Sequence, residues 1–108
     1  MSERLRKFAP LLRRLKKSTI KDRKKILCKA CTPEFISCIC ECALNILKGN
    51  VKLKKGQMQN LRRRSNTLRE LVSKKVSTAK KRKIIQKGGF LGALLGPIVS
   101  ILGGLFGR

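Results

Sequence analysis

The chain has 108 residues, with 28 Lys and Arg against 5 Asp and Glu, no His, and a formal net charge of +23. This length accommodates at most one small domain with tails, and so positive a chain favours a polyanionic partner, nucleic acid first and anionic lipid second. Catalysis by His or by tuned carboxylates is excluded, because His is absent and the carboxylates are scattered among cations that keep them ionised. We therefore predict a non-enzyme without cofactor or metal.

The first 25 residues hold 11 of the cations, and apolar residues recur among them at helical spacing. Leu5, Phe8, Leu12 and Leu15 predict a basic amphipathic helix, which Pro10 divides or kinks. We assign residues 1–18 to a basic N-terminal arm. Such an arm either becomes ordered when phosphates neutralise it or stays disordered.

The middle of the chain is electrically neutral, and it is where a hydrophobic core can begin. Thr19 predicts the N-terminal cap of a helix over residues 20–30. Thr32 followed by Pro33 predicts the start of a second helix over residues 34–47. These two helices form the centre of the predicted fold.

Two further helices are predicted after this centre, one over about residues 56–73 and a short last one that begins at Ser77 or Thr78. No segment alternates with the period of a β-strand. The sequence thus predicts an all-α fold, in which a small helical domain at 19–76 is followed by a basic linker at 77–89.

Five cysteines lie at positions 28, 31, 38, 40 and 42. Their odd number argues against a closed disulfide framework, and with no signal peptide before them we expect a reducing compartment. The first pair has a spacing used in zinc sites, but the second cluster lacks it, and free Cys is usually a small buried hydrophobe. We interpret the five as core residues, with a zinc site as the alternative.

The densest cationic runs are the RRR at 62–64 and the KKRK at 80–83. We predict that they neutralise phosphates, the second run serving also as a nuclear import signal; the alternative is a solvated helix face. With no Trp or Tyr, stacking on bases is disfavoured, so we expect binding without sequence preference. The predicted nucleic-acid-binding residues are Arg4, Arg6, Lys7, Arg13, Arg14, Lys16, Lys17, Arg62, Arg63, Arg64, Lys80, Lys81, Arg82 and Lys83.

Residues 90–108 form a Gly-rich apolar tail that carries no charge before Arg108. Its 18 uncharged residues approach the shortest length of a transmembrane helix, and small residues recur in it every four positions. We predict a membrane-active or anchoring tail; the alternative is an apolar peptide buried against protein. The predicted membrane contacts are Phe90, Leu91, Leu94, Leu95, Ile98, Val99, Ile101, Leu102, Leu105 and Phe106.

Two tetrapeptides of the form x-x-Gly-Gly occur near the tail, Gln86-Lys87-Gly88-Gly89 before Phe90 and Ile101-Leu102-Gly103-Gly104 before Leu105. Both resemble sites cut by adenovirus-type maturation proteases. With its basic body, the chain resembles the precursor of the adenovirus late core protein X and the X-like core proteins of adintoviruses and Maverick/Polinton elements, most closely over residues 83–106. The resemblance implies a late, virus- or transposon-encoded protein that packages double-stranded DNA and is cut between Gly89 and Phe90.

The neutral, Cys-rich middle departs from that family pattern and leaves open a folded domain with its own partner. Our first hypothesis is a basic virion core protein that binds and condenses double-stranded DNA nonspecifically in the host nucleus and the virion. The second is a membrane-active capsid factor, membrane-associated, whose tail inserts into lipid or contacts the inner capsid surface. The third is a cellular helical interaction module with a Cys-cluster zinc site.

Overall fold

The computed structural model of the chain describes residues 3–49, 53–86 and 89–106, with side chains in the last segment from Leu91 to Val99. Within these residues it contains seven α-helices and no strand, which confirms the predicted all-α class. The helices are α1 (Glu3–Lys17), α2 (Ile20–Ala30), α3 (Pro33–Leu47), α4 (Lys55–Arg63), α5 (Ser65–Val72), α6 (Thr78–Gln86) and α7 (Gly89–Phe106).

Helix α1 is amphipathic, as the spacing of its apolar residues predicts. Leu5, Ala9, Leu12 and Leu15 are buried along one face, and the cations occupy the opposite face. Pro10 lies inside α1 without ending it. Its side chain is exposed, so solvent can reach the carbonyl that loses its helical N–H donor at this position.

Both predicted N-terminal caps are present. The Thr19 hydroxyl oxygen accepts a hydrogen bond from the backbone N–H of Asp22 at 3.1 Å, at the start of α2. The Thr32 hydroxyl oxygen accepts one from the backbone N–H of Phe35 at 3.2 Å, at the start of α3. Each bond satisfies an N–H that a helix start leaves without a partner, so these two starts are determined locally.

The single helix predicted over residues 56–73 is wrong, because the structure divides it at Arg64 into α4 and α5. Arg64 has φ −114° and ψ 20°, outside helical geometry. Helix α4, which buries Leu61, packs against α7, whereas α5, which buries Leu68 and Leu71, packs against α3. One straight helix could not bury these residues against two different neighbours, so tertiary packing places the break.

One hydrophobic cluster joins buried residues from all seven helices of the described chain, and four residues of the tail, between Leu91 and Ile98, belong to it. Helix α7 packs against α1, α3, α4 and α6, and its Leu91, Leu94, Leu95 and Ile98 are at most 1% exposed. The predicted arm, linker and tail therefore contribute to the same core as the central domain. The radius of gyration, 12.8 Å, is that of a compact chain of this length despite the charge.

Candidate nucleic-acid interface

The cations of the described residues all reach solvent, since no charged side chain among them is buried. In α1 the apolar residues at spacings of three and four turn one face into the core, so its cations project from the other. Helix α2 follows after a turn of two residues, Ser18 and Thr19, which brings a second set of exposed lysines beside the first.

An open groove of about 660 Å³ separates α1 from α2. Arg14 of α1 and Lys25 and Lys29 of α2 line it together with Cys28 and the apolar residues Leu11, Ile26 and Ala30. Among the described residues, none that lines this groove is a carboxylate. Three positive charges from two helices therefore converge on one concave surface.

Two further grooves extend this surface: the second shares Arg14 with the first, and the third shares Arg13 and Lys17 with the second. Arg13, Arg14 and Lys17 line the second, which includes Asp22 at the start of α2. Arg13, Lys16 and Lys17 line the third, of about 350 Å³, together with Val99 of α7. We name the whole surface the α1–α2 basic face; its cations are Arg13, Arg14, Lys16, Lys17, Lys25 and Lys29.

Arg23 of α2 connects the two helices of this face through hydrogen bonds within the protein. Its Nε donates to the carbonyl oxygen of Leu15 at 3.2 Å, and its Nη2 donates to that of Ser18 at 3.5 Å. The Leu15 carbonyl belongs to the last turn of α1, where helical donors are missing, and Ser18 follows the helix directly. The guanidinium also lies against Gly92 of α7, where an added Cβ would approach Nη1 to 2.9 Å.

Some of the predicted nucleic-acid-binding residues also make hydrogen bonds or ion pairs within the protein. Arg82 is half-buried and donates from Nε to the Cys31 carbonyl oxygen at 3.1 Å. Three others form ion pairs with glutamates: Lys7–Glu34 at 3.0 Å, Lys80–Glu70 at 3.3 Å and Arg4–Glu41 at 3.7 Å. Such partly exposed pairs contribute about 0–1 kcal/mol each, so a phosphate can compete for these side chains.

The remaining predicted residues divide between the α1–α2 basic face and other helices. Arg6 is exposed on α1, while Arg62 and Arg63 are exposed at the end of α4 and Arg64 is half-buried at the break before α5. On α6, Lys83 is exposed and Lys81 is half-buried. The two runs that are densest in sequence therefore present their charges on different helices from the basic face.

The predicted set omitted Lys25 and Lys29, which the structure places in the first groove. A signal for them was present in the sequence. Lysines at positions 21, 25 and 29 recur every four residues, so a helix there carries them on one face. The sequence did not indicate that this face of α2 lies beside the cations of α1.

The cysteines lie mostly in the core, as predicted for small hydrophobes. Cys31, Cys38 and Cys42 are buried and Cys40 is half-buried, but Cys28 is exposed in the first groove, where the prediction of burial is wrong. Burial raises the pKa of Cys31 to about 11, partly opposed by Arg82. Because the Cys42 thiol is hydrogen-bonded to Cys38 and buried, its pKa is also raised. No group of three or more Cys, Asp or Glu in the described chain is arranged to hold a metal ion.

Four of the ten residues predicted to contact membrane are in the protein core, namely Leu91, Leu94, Leu95 and Ile98, and Val99 is half-buried. The other five side chains lie outside the described residues. Among the helices the structure describes, none has the length and hydrophobicity needed to cross a bilayer. The predicted cleavage site involves Lys87 and Gly88, which also lie outside the described residues; Gly89 begins α7.

Comparison of the chain with known protein families, with curated proteins and with solved structures finds no match. The fold and the basic face define a compact, all-helical polycation.

Proposed function

We propose that this protein binds and condenses double-stranded DNA without sequence preference, through phosphate neutralisation centred on the α1–α2 basic face. The observation that carries the proposal is the convergence of six cations from two helices on three adjoining grooves, with Asp22 as the one carboxylate among their lining residues.

The spacing of the cations suits a phosphate backbone. Lys25 and Lys29 are one α-helical turn apart, about 6 Å along the axis, while phosphates of one B-DNA strand recur about every 3.4 Å of axis. Successive cations along the helix can therefore contact different phosphates. Each contact releases condensed counterions, and this release is the main source of affinity.

The face offers little for reading bases. The residues that line its three grooves include no aromatic side chain on which a base could stack. The half-buried Phe8 and the buried Phe35 contact each other edge to face, with ring centroids 5.3 Å apart, and neither lines these grooves. This absence of stacking platforms supports binding that is driven by phosphates and indifferent to sequence.

Condensation requires that one molecule contact more than one duplex. Arg62 and Arg63 at the end of α4, and Lys83 on α6, supply exposed positive charge away from the basic face. We propose that these secondary cations bridge to a neighbouring duplex. The nucleus and the virion as sites of action, and packaging as the biological purpose, are proposed from the resemblance to the X-like core proteins.

The test is a salt titration of DNA binding by the full chain, using duplexes of unrelated sequence. If the six cations of the face each neutralise one phosphate, the slope of log K against log salt is about −5.4, and affinity falls about 10³-fold between 50 and 200 mM salt. Replacing Arg14, Lys25 and Lys29 by Gln should reduce that slope to about −2.7, for a loss of about 40-fold over the same range.

The matched control replaces Lys55, Lys74 and Lys75 by Gln, which removes the same charge from exposed positions outside the basic face. We expect this control to change the slope much less. Equal effects of the two triple variants would contradict a localised face. A strong preference for one duplex sequence, or binding that does not depend on salt, would contradict the proposed function itself.

A further inference from the structure

We propose that Arg23 positions the α1–α2 basic face for DNA, by holding α2 beside the end of α1 in a space that Gly92 of α7 leaves open. This inference deepens the proposed function and rests on it, because it concerns the same site. Arg23 is not one of the described residues that line the three grooves, yet its side chain joins both helices of the face. It is therefore a positioning residue, which acts on DNA through the lysines of α2.

The turn between α1 and α2 does not by itself fix how the two helices lie. Only Ser18 and Thr19 separate them, and the Thr19 cap determines where α2 begins but not its direction. The side chains at positions 21, 22, 24 and 25 are exposed, whereas Arg23 is half-buried and reaches back to α1. This side chain can thus set the position of the α2 lysines relative to the cations of α1.

The guanidinium of Arg23 bridges two carbonyls where α1 ends. Its Nε donates to Leu15 at 3.2 Å and its Nη2 donates to Ser18 at 3.5 Å. The last carbonyls of a helix lack helical donors, and a positive charge beside them is also stabilising. The planar guanidinium holds its donors in a fixed fork, so bonds to two carbonyls define its orientation, which the single ammonium group of a lysine cannot do.

Helix α7 lies directly behind this guanidinium. An added Cβ at Gly92 would come within 2.9 Å of Nη1 of Arg23, whereas atoms that are not bonded to each other prefer about 3.5–4.0 Å. A side chain at position 92 therefore displaces the guanidinium. Because the guanidinium ends a flexible side chain, it moves while the backbone of α7 stays, and its hydrogen bonds to the end of α1 are lost.

The first test is Arg23→Lys, which keeps the charge of the chain and removes the fork. If α2 loses its place beside α1, Lys25 and Lys29 no longer act together with the four cations of α1. The slope of log K against log salt for DNA binding should then fall from about −5.4 to about −3.6, so that affinity drops about 150-fold between 50 and 200 mM salt. The control is Arg69→Lys, the same change at an exposed position of α5, and it should keep the original slope. An unchanged slope in a folded Arg23→Lys variant would overturn the proposal, because a merely structural role changes the melting temperature alone.

The second test is Gly92→Ala, which alters no charged residue. Its matched control is Gly96→Ala in the same helix, where an added Cβ would come equally close, 2.9 Å, to Nε2 of Gln57 on α4. Both variants add an alanine to α7, but only Gly92→Ala displaces Arg23. The slope should therefore fall in Gly92→Ala and stay unchanged in Gly96→Ala. Equal slopes in the two variants would overturn the role of Gly92.

A nitroxide attached to Cys28 reports the arrangement of the two helices without DNA. Cys28 is the exposed cysteine among the five, and it lines the first groove with Leu11 and Arg14 of α1. The nitroxide should broaden the NMR signals of these two residues in the unmodified chain, and less so in Arg23→Lys and Gly92→Ala. If broadening changes in this way but the unmodified chain does not bind DNA, the proposed function fails while Arg23 still arranges the face. Equal broadening in all chains would overturn the positioning role, whatever the DNA result.

Discussion

Truncating a single buried leucine of α7 tests whether the apolar tail belongs to the protein core. The Leu94 side chain is completely buried, where α7 meets its neighbouring helices. In a Leu94→Ala variant, the free energy of unfolding should fall because apolar contacts are lost and a cavity remains. If the tail instead were an independent appendage, the same change would have little effect on the stability of the rest.

The expected magnitude is large for a domain of this size. Truncating a buried leucine to alanine costs about 2–5 kcal/mol, and we take about 3 kcal/mol for the fully buried Leu94. Small domains have a total stability of about 5–15 kcal/mol, so the variant loses a substantial part of it. The melting temperature should fall by about 12–24 °C, at about 4–8 °C per kcal/mol.

The assay is thermal and urea unfolding of the full chain, followed by far-ultraviolet circular dichroism, which reports on all the helices together. The matched control is Leu44→Ala, the same chemical change in a helix at a side chain that is 40% exposed. The control should lose about 1–2 kcal/mol, less than Leu94→Ala, because 40% of its surface stays in water in the folded chain and Ala is a better helix former. If both variants unfold at the same temperature as the unmodified chain, α7 is not part of the core.

Two other predictions concern the cysteines and the junction before α7. At pH 8 a disulfide reagent should label the exposed Cys28 rapidly and Cys31 only on unfolding, and equal labelling rates in the folded chain would contradict this. The free energy of unfolding should also fall as the pH rises from 9 to about 11. In that range the buried Cys31, with its raised pKa, keeps its proton in the folded chain and releases it in the unfolded chain. An adenovirus-type protease should cut after Gly89, and a Gly88→Val variant should resist. Size-exclusion chromatography should then find the fragment 90–108 still bound, since its buried leucines stay in the core; resistance of the unmodified chain would refute the cleavage prediction.

The sequence by itself determined the class of fold and the starts of two helices. Thr19 and Thr32 cap α2 and α3 through hydrogen bonds to residues three positions later, and such contacts depend only on neighbouring residues. The apolar stripe of α1 also follows from spacing alone. In the same way, the excess of positive charge is a property of composition, so the class of polyanionic partner was predicted without a structure.

Only the tertiary structure decided where these elements meet. A periodic apolar stripe shows that a helix has a face to bury but does not name the partner, so nothing in the tail indicated that its leucines pack against α1 and α4. The break at Arg64 was hidden for the same reason, because it follows from contacts with α3 and α7 that lie far along the chain. Likewise, Lys25 and Arg14 are separated by eleven positions, and the fold places both in the lining of one groove.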